Sequence, residues 1–237
     1  MSLSRNEADL AAVSCLDDRV RGRLYGFVAG RRKPVGRDEA AAAVGIGRAL
    51  AAYHLDKLVQ SGLLTACYRR PPGRTGPGAG RPAKMYARSG SEFIVTIPPR
   101  EYELAARLLV QAVAADCSGR AMAALRDAAR RLGVALGKGR RADGVRGDGL
   151  RSVLDSVLSE HGFEPWHDDR GTVRMGNCPF RRLADLRPEV ACDMNLALIQ
   201  GLVAGLRADG MNPVPDPEPE HCCVAIPAAA HDRNGTP

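Results

Sequence analysis

Asp38-Glu39-Ala40-Ala41-Ala42-Ala43-Val44, then Gly45-Ile46-Gly47, then Arg48-Ala49-Leu50-Ala51-Ala52-Tyr53-His54-Leu55-Asp56-Lys57-Leu58-Val59-Gln60 is the stretch that decides the fold of the amino-terminal half. The first segment reads as a short Ala-rich helix with acids in its first turn, where they complement the helix dipole. The glycines make a tight turn. Arg48 to Gln60 reads as a second helix that buries Leu50 or Ala51, Leu55, Leu58 and Val59, and Gly62 stops it. Two helices separated by a short Gly-containing turn fit a helix-turn-helix. The outward face of the second helix then carries Arg48, Ala49, Ala52, Tyr53 and Lys57, side chains suited to base edges and phosphates in a major groove. Upstream, Asp17 or Asp18 caps a helix through Val20, Leu24, Phe27 and Val28, ended by Pro34 and Gly36. Residues 1–14 are expected to be frayed.

Downstream, Leu63 to Tyr68 and Lys84 to Arg88 read as the strands of a hairpin. Its tip is too rich in Gly and Pro for regular structure. From 69 to 88 the chain carries Arg69, Arg70, Arg74, Arg81, Lys84 and Arg88 and no acid, the composition expected of a wing laid along phosphates. The charge is uneven on a larger scale. Residues 1–90 hold 16 Lys and Arg against 7 Asp and Glu, and the remainder holds 18 against 20. A basic half joined to a near-neutral half implies a polyanion-binding module, here one for double-stranded DNA, attached to something else.

At 237 residues the chain has room for more than one core. The reading is an α+β protein: a winged helix-turn-helix domain over 15–92, dimerisation or linker helices over 93–140, and a small α+β sensor domain bearing cysteines over 148–226, with 1–14 and 227–237 disordered. Arg100 to Ala115 and Met122 to Leu136 are Ala- and Leu-rich helices of the kind that pair two subunits, and 137–149 reads as a linker. Leu150 to His161 is amphipathic, 162–175 makes a hairpin around Asp168-Asp169-Arg170-Gly171, Pro188 to about Ala208 is an apolar helix, and His221 to Ile226 is a short strand. Ser4 to Asp18 mixes charges, unlike a signal peptide, and no apolar run approaches a spanning helix. The expected location is cytoplasmic, with no membrane partner.

Seven cysteines are an odd number, better explained by metal, redox or packing than by a disulfide framework. Cys178, Cys192, Cys222 and Cys223 crowd the last quarter. Pro179 restricts Cys178 to an extended backbone at a turn. Cys192 falls near the start of the helix opened by Pro188, where the dipole favours a thiolate. If Cys222 and Cys223 are successive strand residues they point to opposite faces, so only one of them serves a given site. Zinc held by these thiols with His221 or His167 is one alternative; metal-free thiol oxidation is another. Cys15, Cys67 and Cys117 read as packing residues, His54 and His161 as helix-surface residues, and Trp166 as core. There is no phosphate-binding loop, zincin motif or nucleophile elbow. An enzyme reading reduces to a cysteine hydrolase pairing Cys178 with His167.

Two resemblances sharpen this. Tyr53-His54-Leu55-Asp56-Lys57-Leu58-Val59-Gln60-Ser61-Gly62-Leu63-Leu64 followed by Gly80-Arg81-Pro82-Ala83-Lys84-Met85-Tyr86 resembles the recognition helix and wing of ArsR-like winged-helix regulators. Asn177-Cys178-Pro179-Phe180, Glu189-Val190-Ala191-Cys192-Asp193-Met194-Asn195 and Cys222-Cys223-Val224 are similar to SufR-type repressors of iron-sulfur assembly operons. The second resemblance implies a homodimeric, palindrome-binding repressor whose [4Fe-4S] cluster is held by Cys178, Cys192 and one of the adjacent pair, with Cys222 preferred. Cys223, His221, an acidic side chain or a small molecule remains for the fourth iron.

Overall fold

The computed structural model describes residues 5–69, 82–98, 100–140, 147–216 and 221–228. The expected hairpin tip with Arg70, Arg74 and Arg81, residues 141–146 of the linker, and the last nine residues lie outside them. The chain divides into two compact units, Met1–Arg100 and Glu101–Pro237. The segment 93–140 is therefore not a body of its own; its first residues belong to one unit and its helices to the other.

In the first unit, residues expected to fray instead form α1 (Arg5–Ser14), with Ala12 buried and the Asp9 carboxylate accepting the Ile94 N–H at 3.1 Å. That long-range bond supplies the order that local sequence does not. After a short 3-10 turn, Asp18 caps α2 (Arg19–Ala29), accepting from the N–H groups of Val20 and Arg21 at 2.9 and 3.0 Å. A two-residue strand β1 (Val35–Gly36) leads into α3 (Arg37–Val44). Gly45 ends α3 at a φ of 71°, a left-handed position where a β-carbon would be strained, and Gly47 opens α4 (Arg48–Gln60). β2 (Leu64–Arg69) and β3 (Ala83–Arg88) pair in register from Leu64↔Arg88 to Arg69↔Ala83, and β1 joins the other edge of β3.

Leu24, Val28, Leu55, Leu58 and Leu64 close the core of this unit under Tyr86. Burial of each such leucine contributes about 1.5–3 kcal/mol. Of the two alternatives on α4, Ala51 is the buried one and Leu50 is exposed; one expectation changes, since His54 is only 6% exposed, a core residue rather than a surface one. His54 lies on the edge between faces of a helix covered on its inner side by α2 and α3, so helical spacing alone does not decide its burial.

The second unit contains α5 (Tyr102–Ala115), α6 (Arg120–Arg140), α7 (Asp148–Glu160), the hairpin β4 (Pro165–His167) and β5 (Val173–Met175), α8 (Arg181–Leu186), α9 (Pro188–Leu206), and the pair β6 (Val214–Pro215) and β7 (Val224–Ala225). Reciprocal bonds of 2.9 Å between Val173 and Ile226 tie β5 to the chain after β7. The expected linker begins inside α6, which runs on through Gly137 and Gly139 to Arg140. The reason is tertiary. Gly133 and Gly137 of α6 face Gly201 and Gly205 of α9, and a β-carbon at Gly133 would stand 2.0 Å from the Leu198 carbonyl oxygen. The register, 130 against 201 and 134 against 205, makes the two helices parallel. Arg126 Nε donates to Asp193 at 2.5 Å and Arg130 Nη2 to Gln200 at 2.7 Å, stitching the same pair.

α9 is also a correction: at 19 residues it is long and apolar enough, by length and composition, to cross a membrane. It is the central helix of the second core, with Ile199, Leu202, Val203 and Leu206 packed against Leu154, Leu158, Phe163 and Met175.

Candidate functional site

Three segments bring the carboxy-terminal thiols together. Cys178 follows β5 on the turn into α8, where its carbonyl accepts the Arg181 N–H at 3.0 Å. Cys192 is the fifth residue of α9. Cys222 and Cys223 precede β7, with the Cys222 N–H bonded to Met175 O at 3.1 Å and the Cys223 carbonyl accepting from Asp216 at 2.8 Å. Because the pair lies before a strand of only two residues, the expected alternation of faces does not apply. The sulfur of Cys222 pairs with Cys178, that of Cys223 with Cys192, and the two adjacent cysteines interact with each other. Both members of the pair therefore face the same centre.

Cys192 also feels the charges of Cys178 and Cys222, so the four sulfurs share one neighbourhood. Among the described residues no three His, Cys, Asp or Glu side chains are grouped to hold a single metal ion. Polynuclear clusters are held by Cys thiolates on separate corners, farther apart than the ligands of one zinc, and four cysteines in one neighbourhood supply that ligand chemistry. Cys222 is buried and the other three are half-buried. Beside them opens a pocket of about 350 Å³ walled by Pro188, Leu196 and Pro215, with Cys192 and Cys223 on its lining.

The electrostatics correct the expectation of a helix-start thiolate. Burial pushes the Cys192 thiol up despite the bond to Cys223 that works the other way. The Cys178 thiol is held high by its contact with Cys222 and then by burial. For Cys222 the Cys178 contact acts downward, but Cys223 and burial outweigh it, leaving the thiol at about 11. Neutral thiols with no metal present give up protons when a metal binds, so loading is coupled to proton release.

The remaining cysteines are separate. All seven are free thiols, and Cys15, Cys67 and Cys117 are not among the cysteines that act on these four. The two histidines weighed as ligands have other neighbours: His167 Nε2 meets Asp155 at 2.8 Å, and the His221 ring lies 5.9 Å from Trp166, which is half-buried. The hydrolase pairing thus finds Cys178 and His167 with different partners.

No family model, curated protein or solved structure matches the chain.

On the first unit, α4 exposes Arg48, Ala49, Leu50, Tyr53 and Lys57 along one side, Tyr53 at 56%. The Lys57 ammonium stands 6.0 Å from the Tyr53 ring centroid, and Arg48 Nε meets Asp38 at 2.8 Å with both side chains open to solvent. Arg69 is exposed at the end of β2. Lys84 is turned inward instead: its Nζ is 2.7 Å from Asp56, which also accepts the Tyr86 hydroxyl at 2.8 Å. That geometry spends the Lys84 charge inside the unit.

The residue that sequence reasoning passed over is Asn195. It is fully buried, its Nδ2 donates to Cys222 Sγ at 3.1 Å, and its Oδ1 has no hydrogen-bond partner among the described residues. A signal was available: Ala191, Asn195, Ile199, Leu202 and Leu206 make one buried stripe of α9, and Asn195 is its single polar member. A polar residue on the core stripe one turn beyond a candidate ligand marks a group with a partner.

Proposed function

We propose that this chain is a homodimeric winged helix-turn-helix repressor that senses iron-sulfur status or oxidative stress through a [4Fe-4S] cluster and controls iron-sulfur assembly genes. Cys178, Cys192 and Cys222 hold the cluster, with Cys223 at the fourth corner. The observation that carries this reading is the meeting of four cysteines from three separate segments in one neighbourhood. Bound there, the cluster supplies a redox-labile cross-link between segments, and the protein's part is to bring, shield and orient the thiolates.

DNA binding is supported by the net charge of the first ninety residues and by the solvent-facing Arg48, Tyr53, Lys57 and Arg69. Pairing of two chains is supported by the apolar surface of α5 and α6, where Tyr102, Leu104, Leu108, Leu109 and Leu132 are all more than half exposed. Two copies are what palindromic half-sites require, since paired recognition helices address sites about 34 Å apart.

The test is anaerobic purification followed by metal and sulfide analysis. Brown protein with iron and acid-labile sulfide in equal amounts, and enrichment of a palindrome from a random duplex pool only by cluster-loaded protein, is the expected result. Zinc without sulfide would replace this reading with a zinc regulator. Equal site selection with and without the cluster would remove the sensor.

A further inference from the structure

A fully buried asparagine that satisfies only half of its amide is costly. Leaving a buried carbonyl without a partner forfeits the hydrogen bonds it makes to water in the unfolded chain. A neutral thiol repays little, because its sulfur is a weak acceptor, whereas an anionic sulfur accepts a much stronger hydrogen bond. Asn195 sits on the core stripe of α9 between Ala191 and Ile199, where an apolar side chain of the same size would satisfy packing without any orphaned atom. Its Nδ2 nevertheless points at Cys222 Sγ at 3.1 Å. Cys222 is the most buried of the four thiols and the one that interacts with both Cys178 and Cys223.

We propose that Asn195 is a positioning residue for the metal centre, donating an amide N–H to the Cys222 sulfur in its metal-bound, thiolate form. Because Asn195 and Cys192 lie three residues apart on α9, the helix that delivers one sulfur also fixes the donor to another. Any metal bound by these thiols then sees a sulfur whose direction and basicity are set by α9. Hydrogen bonds to ligating sulfur stabilise the more negative, reduced state, so this bond raises the reduction potential of an iron-sulfur cluster held there. The last consequence rests on the cluster reading proposed above; the bond to metal-bound sulfur does not.

The experiment compares the full chain with Asn195→Leu, which keeps the branched shape, is somewhat bulkier and loses the donor, and with Asn195→Ala, which loses the donor without adding bulk. Three readouts separate the possibilities. Metal-free stability is measured first: Asn195→Leu is expected to be as stable as the parent or more so, since an orphaned carbonyl is removed. Cobalt(II) is the metal probe, and both variants are expected to bind it about 10-fold to 100-fold more weakly, with altered sulfur-to-cobalt charge-transfer bands. After anaerobic reconstitution with iron and sulfide, the midpoint potential is expected to fall, a tenfold preference corresponding to about 59 mV for one electron. Parent protein that binds cobalt but forms no cluster, with weakened cobalt binding in both variants, overturns the cluster reading and upholds Asn195. A reconstituted parent whose variants match it in cobalt affinity, spectra and potential overturns Asn195 and upholds the cluster. Loss of metal-free stability in both variants with unchanged metal affinity assigns Asn195 a packing role. Parent protein that holds neither cobalt nor iron overturns both.

Discussion

Two helix glycines show how differently the units are built. A β-carbon at Gly26, in α2 of the first unit, would have nothing within 4 Å, whereas one at Gly201, in α9 of the second, would lie 2.2 Å from the Arg130 carbonyl oxygen. The first glycine is an ordinary helix position; the second is a requirement of two backbones in contact. The contrast extends to function. The first unit keeps large side chains inside and leaves Arg48, Tyr53 and Lys57 on the outside of α4, while the second buries Cys222 and Asn195 and packs Cys178 and Cys223 against its core. Damage to packing should therefore leave the surface chemistry of the first unit intact and abolish the internal chemistry of the second.

The largest expected effect breaks that contrast if it is wrong. Gly201→Ala should destabilise the second unit by about 3 kcal/mol, the upper part of the range for overpacking, because the obstructing atoms are backbone. Gly26→Ala should do the opposite, stabilising the first unit by up to about 1 kcal/mol through helix propensity alone. Trp166, the single tryptophan, belongs to the second unit, so its fluorescence follows that unit while calorimetry follows both. Equal and small effects at the two positions would mean that the α6–α9 contact is looser than the backbone indicates.

The same contrast explains what could be read from sequence. α2, α4 and the hairpin were legible because their cues are local: Asp18 as a cap, Gly45 and Gly62 as stops, and apolar spacing between them. The carboxy-terminal end of α6 was not, since Gly137 and Gly139 look like linker composition until the partner helix of Gly137 is known. α8 follows Pro179 with no apolar period long enough to announce it. The centre was legible in its members, Cys178, Cys192, Cys222 and Cys223, but not in its geometry. A strand rule applied to Cys222 and Cys223 fails because pairing begins only at Val224. Of the expected nucleic-acid residues, Arg48, Tyr53, Lys57 and Arg69 are solvent-facing, and Lys84 is drawn to Asp56 by a carboxylate 28 positions away.

Next in size is the loss of a buried thiol. Cys222→Ala should remove most bound iron, at least a 10-fold fall in affinity, as should Cys178→Ala, whereas Cys67→Ala on β2 should leave iron content unchanged. Iron retained by Cys222→Ala and lost by Cys67→Ala would invert the assignment of chemistry to the second unit.

A smaller effect tests whether the first unit depends on an internal ion pair. Burial pushes the Asp56 carboxyl up, but its bonds to Lys84 and Tyr86 outweigh that and hold it below the ordinary aspartate value of 3.8. A depressed folded value means that the stabilisation is complete above pH 3.8 and is lost as pH falls through the folded value. Asp56→Ala should cost the first unit about 1–2 kcal/mol near neutrality, chiefly by leaving the buried Tyr86 hydroxyl without its acceptor. Below the folded value the difference should shrink to what a neutral Asp56 carboxyl still contributes by accepting the Tyr86 hydroxyl. A stability difference that grows with acidification would contradict the pairing.

The smallest expected change in stability accompanies a change in binding, and it separates the surface of the first unit from its core. Arg48 is exposed and its pair with Asp38 joins two solvent-facing groups, so the pair is worth no more than about 1 kcal/mol. Lys57 stands over Tyr53 on the same side of α4, outside the core built on Leu55 and Leu58. Arg48→Ala and Lys57→Ala should each change stability by less than about 0.5 kcal/mol. Each should nevertheless weaken duplex binding, and if the lost contact is to phosphate, the slope of log affinity against log salt should flatten by about 0.9. Lys84→Ala supplies the contrast within the same unit: it removes a partner of Asp56, so stability should fall while the salt slope stays nearly constant. A reversed pattern, with Lys84 governing the slope and Arg48 governing stability, would mean that β3 rather than α4 carries the phosphate contacts.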